Sequence, residues 1–342
     1  MTMAQFHRRA RPLIFVGGAF ISVLCLFFAF RKVNFPAFGQ AIKSLDPWWV
    51  LAAFALVNIH NFVLAFRWKL ILGHISKVNY WTAFWSLRLA FFFNASLPAR
   101  LGEPFRVWYL NRTTKISPAR TLGAMGADRF QDFVTLCAWV YLSALVLGMR
   151  GTLPPTSTII GAGLAAAAVV FVIAKLPKTS RYKWLNTVLQ FRSRIFEGIS
   201  SLKNPRVMLI TIPISLLGWF IEAAVLVCFS YALSDPFSIY RAFMVVAAVN
   251  IAISIPSSPG HIGTFQLGAM TALVFLNVPK AEAATIAIGY HLIQLIPTVL
   301  IGAYGYYFHF MKLPKNKDIP TLETLEKIEE KIELGELSKR HK

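Results

Sequence analysis

The first third of the chain contains a stretch in which apolar character gives way to charge, NASLPARLGEPFR at residues 94–106. It directly follows LAFFF at residues 89–93, a run apolar enough to enter a bilayer. Charges at bilayer depth cost about 2.5 to 3.5 kcal/mol each on insertion scales, so they face protein or water rather than lipid. The stretch therefore predicts a membrane helix that breaks and carries charged side chains into a polar interior.

The composition is that of a polytopic membrane protein. Of the 342 residues, 56% are hydrophobic and only 15% are charged, and the mean hydropathy is +0.56. These values are too apolar for a soluble protein of this size. The formal net charge of +20 does not indicate nucleic-acid binding, because Lys and Arg lie between apolar runs, where cytoplasmic loops collect positive charge.

Cysteines and catalytic motifs give no sign of a cofactor or an enzyme. The three cysteines, Cys25, Cys137 and Cys228, each lie inside an apolar run without CxxC or Cys/His spacing. The sequence contains no HExxH, GxSxG, P-loop or carboxylate-rich metal motif. We expect packing roles for the cysteines, no metal, no cofactor and no enzymatic activity, with an intramembrane transferase or phosphatase as the enzymatic alternative.

Apolar runs long enough to cross about 30 Å of hydrocarbon predict about six full spans. The runs are 13–30, 48–66, 123–147, 159–174, 207–233 and 281–310. Two other apolar stretches, 83–110 and 242–277, each break at a proline–glycine motif into arms too short to span. We expect an all-α fold in which both stretches form re-entrant helical hairpins; full double crossings are the alternative, because they give the same parity.

The distribution of Lys and Arg predicts that both termini lie in the cytoplasm. The segment 175–206 and the N-terminal arginines carry the positive charge that cytoplasmic loops collect. Counting crossings from there, the first hairpin enters from the cytoplasm and the second from the opposite side. Arg31, Lys32 and Lys43 oppose this orientation, because it places them outside the cytoplasm.

The chain divides into a transmembrane domain, residues 1–312, and a cytoplasmic tail, residues 313–342. Apolar residues in the tail recur at helical spacing and give one apolar stripe: Leu322, Leu325, Ile328 and Ile332. An interfacial helix on the cytoplasmic leaflet, a small coiled coil and a solvated helix all fit this pattern.

The first hairpin is expected to restart as a helix after its break. Pro98 suits the first turn of a helix, with Ser96 or Leu97 as its cap. A helix that begins at mid-depth directs unpaired N–H groups and the positive end of its dipole into the membrane interior.

Three charges follow this break at helical spacing. Arg100, Glu103 and Arg106 recur every three residues and are expected to share one side of the helix. Two arginines beside a helix N-terminus predict an anion site, with Glu103 holding both guanidinium groups. The alternative is a salt-bridge cluster at the cytoplasmic edge of the membrane.

The second hairpin contains ISIPSSPGHIGTFQ at residues 253–266, with the same pattern of cap, proline and glycine. Pro259 suits the first position of a helix that a preceding serine caps, and the glycines allow a backbone or a ligand to come close. Its candidate site residues are Ser257, Ser258, Gly260, His261, Gly263 and Gln266. Two helix starts converging near the midplane resemble the plan of inverted-repeat transporters and allow an inverted pseudo-symmetry; an ordinary turn between two full spans is the alternative.

A third charged group lies near the start of the third predicted crossing. Asp128 and Asp132 are four residues apart and share a helix face, with Arg129 adjacent. The group can hold a basic substrate moiety or a proton, or it can pair with Arg100 or Arg106 as a structural element.

Glu222 lies deep in an apolar run and has no charged neighbour in sequence. It is a candidate for proton coupling or headgroup binding, or a buried partner for one of the arginines named above. His291 and Gln294, and likewise His60 and Asn61, are expected to form interhelical hydrogen bonds without a further role.

Three motifs resemble the flippase-like family, the transmembrane domains of lysylphosphatidylglycerol synthase and their stand-alone relatives. They are LPARLGEPFR at 97–106, DRxxD at 128–132 and PxxPGxxGxF at 256–265, and the resemblance covers about residues 13–310. It implies movement of a lipid headgroup across the cytoplasmic membrane, or a role as a membrane partner of lipid-modifying systems.

The sequence departs from the family pattern at two positions. The family usually has a glycine where His261 stands and a carboxylate where Gln266 stands, which weakens the case for a charge-dependent role there. No soluble acyltransferase-like domain follows Phe310, so aminoacyl transfer is not expected.

Together these features predict an integral lipid translocator that binds an anionic phosphate headgroup at the helix breaks. Arg100 and Arg106 would contact the phosphate, Glu103 would orient them, and the other carboxylates would balance charge or bind a cation. The lipid is a phospholipid or a polyprenyl phosphate, since both carry the phosphate. The alternative is a non-transporting scaffold that recruits a lipid- or glycan-modifying enzyme through its tail.

Overall fold

The computed structural model of the protein describes residues 20–21, 23–31, 35–97, 100–149, 183–233, 236–255 and 257–310. Within these ranges the chain forms a helical segment at 23–30, ten further α-helices and no strand, which confirms the all-α fold class. The helices are α1 (Phe35–Lys43), α2 (Pro47–Gly73), α3 (Tyr80–Ser96), α4 (Gly102–Thr114), α5 (Pro118–Val146), α6 (Lys183–Ile199), α7 (Pro205–Ala232), α8 (Ile239–Ile253), α9 (Thr264–Phe275) and α10 (Lys280–Gly305).

Three helical segments of the described chain are long and apolar enough to cross a membrane: Pro47–Gly73, Pro205–Ala232 and Lys280–His309. They coincide with three of the six predicted crossings. Leu209 and Leu300 on these segments are 75% and 62% exposed, as expected for side chains that face lipid.

Two of the other three predicted crossings are covered only in part, or not at all, by the described residues. The crossing at 123–147 falls on α5, which begins earlier, at Pro118. Residues 23–30 are helical, and the rest of the first crossing is largely outside the described residues. The crossing at 159–174 and the tail at 313–342 lie outside them entirely. Six spans therefore stay a prediction.

Two of the three spanning helices, α2 and α7, begin where the sequence places a capping side chain before a proline. The Asp46 carboxylate accepts the N–H of Trp48 at 2.9 Å, and Pro47 occupies the first turn of α2. The Asn204 side chain accepts the N–H of Arg206 at 3.0 Å at the start of α7. Each cap satisfies an N–H group that the first turn leaves unpaired.

Helices α2 and α7 are antiparallel neighbours along their full length. The N–H of Asp46, before α2, donates to the carbonyl of Ala232 at the end of α7, at 2.9 Å. At the opposite end, His74 lies 3.4 Å from the side chain of Asn204, before α7. Arg67 and His60 therefore face residues of α7 across one continuous seam.

The same order of helices occurs twice along the chain. A long helix, two short helices and a long helix form α2 to α5, with 27, 17, 13 and 29 residues. The same pattern forms α7 to α10, with 28, 15, 12 and 26 residues. Since α2 and α7 are antiparallel, the order agrees with an inverted pseudo-symmetry, which stays a prediction.

The arms of the two hairpins are short, as predicted from the sequence. At 1.5 Å per residue the arms α3, α4, α8 and α9 are roughly 18 to 26 Å long, less than the hydrocarbon thickness of about 30 Å. Whether they are re-entrant stays a prediction. Each hairpin packs in its own apolar cluster: α3 and α4 with the second half of α2, and α8 and α9 with α7 and α10.

The restart of the first hairpin differs from the sequence prediction. Helix α4 begins at Gly102, four residues later than expected, and Ser96 and Leu97 end α3 instead of capping α4. The reason is a cap from the other arm: the side chain of Asn94 accepts the N–H of Gly102 at 2.8 Å. Arg100 is consequently outside the helix, with a left-handed φ of 55°.

The restart of the second hairpin is closer to the prediction. Ser258 precedes a 3₁₀ turn, Pro259–His261, with the proline first as expected. The longer helix α9 starts only at Thr264, after Gly263 with φ 94°. The N–H of Gly263 donates to the Gln266 side chain at 2.7 Å, which caps the start of α9.

Candidate functional site

The breaks of the two hairpins meet. The guanidinium of Arg100, at the first break, donates a hydrogen bond to the carbonyl of Ile253, the last residue of α8. A Cβ placed on Gly260 would lie 3.5 Å from the carbonyl oxygen of Ala95. Because the final carbonyls of a helix are unpaired and carry partial negative charge, Arg100 completes the end of α8.

A buried arginine from α2 organises the charges of α5. Arg67 is 2% exposed and donates to Asp128 at 2.7 Å, to Asp132 at 2.5 Å and to the hydroxyl of Ser215 at 2.8 Å. The apolar run 48–66 predicted that the span ends just before Arg67. Helix α2 continues to Gly73, so Arg67 lies inside the helix and faces the bundle.

Arg106 is the second buried cation of this cluster. Its guanidinium lies 3.7 Å from the centre of the Trp68 ring, and its side chain is 1% exposed. Nη2 is 3.6 Å from Asp128 Oδ2, close enough for an ion pair but too long for a good hydrogen bond. Among the described residues Nε and Nη2 have no hydrogen-bond partner. The predicted pairing of Asp128 with Arg106 is present, and Arg106 keeps unused donors.

The outer edge of the cluster is accessible. Arg129, whose side chain is 55% exposed, lies 3.7 Å from Glu103 and 3.7 Å from Asp132. Among the described residues Glu103 forms an ion pair with Arg129 and none with Arg100 or Arg106, so the expected bridge is not formed. The displaced start of α4 explains the missing Arg100 contact, because Arg100 no longer shares a helix face with Glu103.

The charges of the cluster balance without Arg100. Three arginines (Arg67, Arg106 and Arg129) pair with three carboxylates (Glu103, Asp128 and Asp132). Arg100 is exposed, and its hydrogen bond goes to a neutral carbonyl. It interacts electrostatically with Glu103 and Arg129 and adds one positive charge at the accessible edge.

The second hairpin supplies a separate polar network. Gln266 Nε2 lies 2.8 Å from Nδ1 of His291, and Nε2 of His291 lies 2.8 Å from the carbonyl of Gly260. Since a carbonyl only accepts, Nε2 of His291 donates and Nδ1 accepts from Gln266. The interhelical hydrogen bonding predicted for His291 is confirmed, and Gln266 fixes the loop that begins α9.

The remaining candidates of this hairpin hold the loop or face the first break. The Ser257 and Thr264 hydroxyls lie 3.1 Å apart, and Ser258 donates to the Ile262 carbonyl at 3.3 Å. His261 has a φ of 57° and interacts electrostatically with Arg100, while its buried Nδ1 has no hydrogen-bond partner within the described residues. His261 is thus the residue of the second break that adjoins the arginine of the first.

Glu222 is not isolated in the structure, nor does it pair with Arg100, Arg106 or Arg129. Its Oε2 lies 2.9 Å from His60 Nδ1, and its Oε1 accepts from the Tyr290 hydroxyl and, at 2.5 Å, from Gln294. The interhelical bonds predicted for His60 and Gln294 are confirmed. Asn61 instead donates to Val57 within its own helix, so that prediction is wrong.

A further buried arginine lies on the first hairpin. Arg88 of α3 is 1% exposed and donates to the carbonyl of Pro297, inside α10, at 2.8 Å. Its Nε and Nη1 have no hydrogen-bond partner in the described part of the chain. The position of Arg88 within the apolar stretch 83–110 indicated a buried charge, but an arginine in an apolar run does not identify its partner.

Over the described residues, no group of three His, Cys, Asp or Glu side chains is arranged to hold an ion. The acidic residues of the cluster are engaged by arginines instead.

Comparisons with known proteins found a matching family model and relatives that are membrane proteins. The family model described as lysylphosphatidylglycerol synthase TM region matches residues 14–302. Two relatives come from Methanocaldococcus jannaschii. UPF0104 membrane protein MJ1078 is 26% identical over 66% of this chain and 99% of its own length, and UPF0104 membrane protein MJ1595 is 22% identical over 84% and 91%. No solved structure matches. Because the family model spans most of the chain, the protein belongs to the lysylphosphatidylglycerol synthase TM region family.

Proposed function

We propose that this protein is a non-enzymatic lipid translocator that binds the phosphate of a lipid headgroup at the meeting point of the two hairpins and moves it between leaflets. The observation that supports it most is the contact of Arg100 with the end of α8, beside a charge cluster that is balanced without Arg100. The proposed location is the cytoplasmic membrane, with both termini in the cytoplasm.

The need for such a site follows from the cost of moving a charged headgroup through hydrocarbon. An ionised group that loses its water must regain hydrogen bonds and opposite charge, or its transfer is strongly unfavourable. Guanidinium groups supply both, because they present several donors to phosphate oxygens in a fixed plane. The acyl chains can remain in the bilayer meanwhile.

Arg100 and Arg106 have different proposed roles. Arg100 is exposed and held by one neutral acceptor, so a phosphate oxygen can replace the Ile253 carbonyl as the acceptor of its N–H groups. Arg106 is buried against the Trp68 ring, and its Nε and Nη2 groups donate to no described residue. We propose that the headgroup binds first at Arg100 and that Arg106 turns from Asp128 to the phosphate as the hairpins separate.

Because of Arg67, Arg106 can turn to the phosphate without leaving the Asp128 carboxylate unpaired. It already donates to both Asp128 and Asp132, at 2.7 and 2.5 Å. Asp128 therefore retains a strong partner when Arg106 leaves it. The cluster gives up its weaker contact, 3.6 Å long, and keeps its shorter ones.

Reconstitution into vesicles with a panel of labelled lipids tests the proposal. We expect wild-type protein to equilibrate phosphate-bearing lipids between leaflets. The Arg100→Ala variant should do so roughly tenfold or more slowly, the effect of losing a hydrogen bond to a charged group. Arg120→Ala is the matched control, because Arg120 pairs with Glu197 on the exposed surface. An unchanged rate in folded Arg100→Ala would remove Arg100 from the mechanism.

A further inference from the structure

Glu222 is the centre of a polar tetrad that joins three helices. His60 comes from α2, Glu222 from α7, and Tyr290 and Gln294 from α10. Three donors therefore converge on two carboxylate oxygens, and the Glu222 side chain is 9% exposed. Hydrogen bonds of this kind stabilise the ionised form of a carboxyl group. Glu222 is thus a fixed negative charge inside the bundle.

The contact with Glu222 determines where His60 carries its proton. An ionised carboxylate only accepts, so Nδ1 of His60, 2.9 Å from Oε2, bears the hydrogen. The other ring nitrogen, Nε2, is then a free acceptor, and none of the described residues gives it a hydrogen-bond partner. It faces Gly218, where an added Cβ would lie 3.5 Å from Nε2.

A second proton can enter at Nε2 without breaking any bond of the tetrad. The His60 side chain is 14% exposed, more than that of its partner. Protonation leaves Nδ1–H on Glu222 and changes the charge of the tetrad from −1 to 0. The groups that face Glu222 are His60, Tyr290 and Gln294; no Lys or Arg of the described chain forms an ion pair with it.

The tetrad lies on the same seam as the charge cluster. His60 and Arg67 are seven residues apart on α2, and Glu222 and Ser215 are seven apart on α7, where Arg67 bonds Ser215. Seven residues are about two helical turns, so both contacts lie on one face of each helix, about 10 Å apart. A change in the spacing of α2 and α7 at His60 would therefore reach Arg67 and, through Asp128, Arg106.

We propose that His60 Nε2 is the loading atom of a proton site, with Glu222 as its fixed counter-charge, and that proton binding there is coupled to headgroup movement. The coupling step rests on the proposed function; the proton site does not. A phosphodiester headgroup carries one negative charge, so a cycle that moves one proton with one such headgroup transfers no net charge across the membrane. Moving the proton together with the headgroup therefore removes the free-energy cost of carrying net charge across the membrane potential.

Nitrogen NMR of histidine-labelled, full-length protein tests the site without any transport. The His60 signals are assigned by their loss in His60→Gln. We expect acidic buffer to add a second ring proton, at Nε2, and Glu222→Gln to weaken proton binding roughly tenfold or more, since it removes the counter-charge. A His60 ring that stays neutral throughout, or one that titrates identically in Glu222→Gln, would overturn the proton site.

Vesicles with a proton gradient test the coupling. With one proton moved per lipid, a gradient of about one pH unit should drive up to a roughly tenfold imbalance of labelled lipid between leaflets. His60→Gln should abolish the imbalance, whereas Asn61→Ala, which alters only a bond within α2, should keep it. Exchange without imbalance in wild type would overturn the coupling and leave the proposed translocator intact. No exchange at all would overturn the translocator and, with it, the coupling, while the NMR titration would still decide the proton site.

Discussion

Arg67 and Asp128 are 61 positions apart in the chain, and their side chains are 2.7 Å apart in the fold. This ion pair joins a spanning helix, α2, to the helix that carries the acidic pair Asp128 and Asp132. Both partners are nearly excluded from solvent, with side chains 3% and 5% exposed. The pair therefore fixes the position of Asp128, which also contacts Arg106 of the first hairpin.

Loss of Arg67 should destabilise the protein strongly. Arg67→Met leaves two carboxylates without their shortest partner, and breaking a buried pair typically costs about 3 to 5 kcal/mol. Thermal unfolding in detergent measures the effect. The double variant Arg67→Met with Asp128→Asn should recover part of the loss, because it also removes a buried charge.

Arg120 supplies the control for that experiment. Its pair with Glu197 has side chains 44% and 50% exposed, so Arg120→Met should change stability by about 1 kcal/mol or less. Equal losses in Arg67→Met and Arg120→Met would contradict the buried role assigned to Arg67.

Two glycines of α5 should respond in opposite directions to the same substitution. A Cβ on Gly123 would lie 2.9 Å from the Cα of Gly198 and would overlap the backbone of Ile195, so Gly123→Ala should force α5 and α6 apart. We expect a loss of about 1 to 3 kcal/mol. Gly126 has nothing within 4 Å of that position, so Gly126→Ala should gain about 0.4 to 1 kcal/mol.

Unfolding midpoints of the two alanine variants, measured in one detergent, are enough for this comparison. If Gly123→Ala were as stable as Gly126→Ala, the close crossing of α5 and α6 would be wrong.

The Tyr290 hydroxyl should contribute measurably to stability through Glu222. Tyr290→Phe keeps the ring in the buried cluster but removes one donor to the carboxylate, which should cost about 1.5 to 3 kcal/mol. Tyr304→Phe, on the exposed face of the same helix, should change stability by about 0.5 kcal/mol or less. Chemical unfolding of both variants compares them; no difference between them would argue against the tetrad.

Removal of residues 313–342 distinguishes transport from recruitment. A translocator that works through the hairpins should retain lipid exchange in vesicles after this deletion. A scaffold that binds an enzyme through its tail should lose its effect on that enzyme in cells while remaining folded. Exchange that disappears with the tail would contradict a mechanism confined to the hairpins.

The sequence predicted the plan of the molecule better than its contacts. Proline and glycine motifs identified both broken segments, because these residues act locally on the backbone. The start of α4 was missed by four residues, since its cap comes from Asn94 on the other arm. No local pattern reveals such a partner.

The charge cluster is a second case in which the sequence identified residues but not their partners. Asp128 and Asp132 were recognised as a pair from their helical spacing, yet their principal partner, Arg67, was not predicted, because it lies just beyond the predicted span 48–66. Hydropathy ended the predicted span just before Arg67, because a charged residue closes an apolar run whether or not the helix continues. Glu222 was likewise found by its position and not by its partners, which come from α2 and α10.

Direct binding of a phosphate-bearing lipid to purified protein is the most direct test of the central claim, that Arg100 at the junction of the hairpins binds a headgroup phosphate. Native mass spectrometry can compare a phospholipid with a diacylglycerol of the same chains, in wild type and in Arg100→Ala. We predict that wild type retains the phospholipid in preference to the diacylglycerol and that Arg100→Ala loses most of this preference. Equal discrimination by the two proteins would contradict the claim.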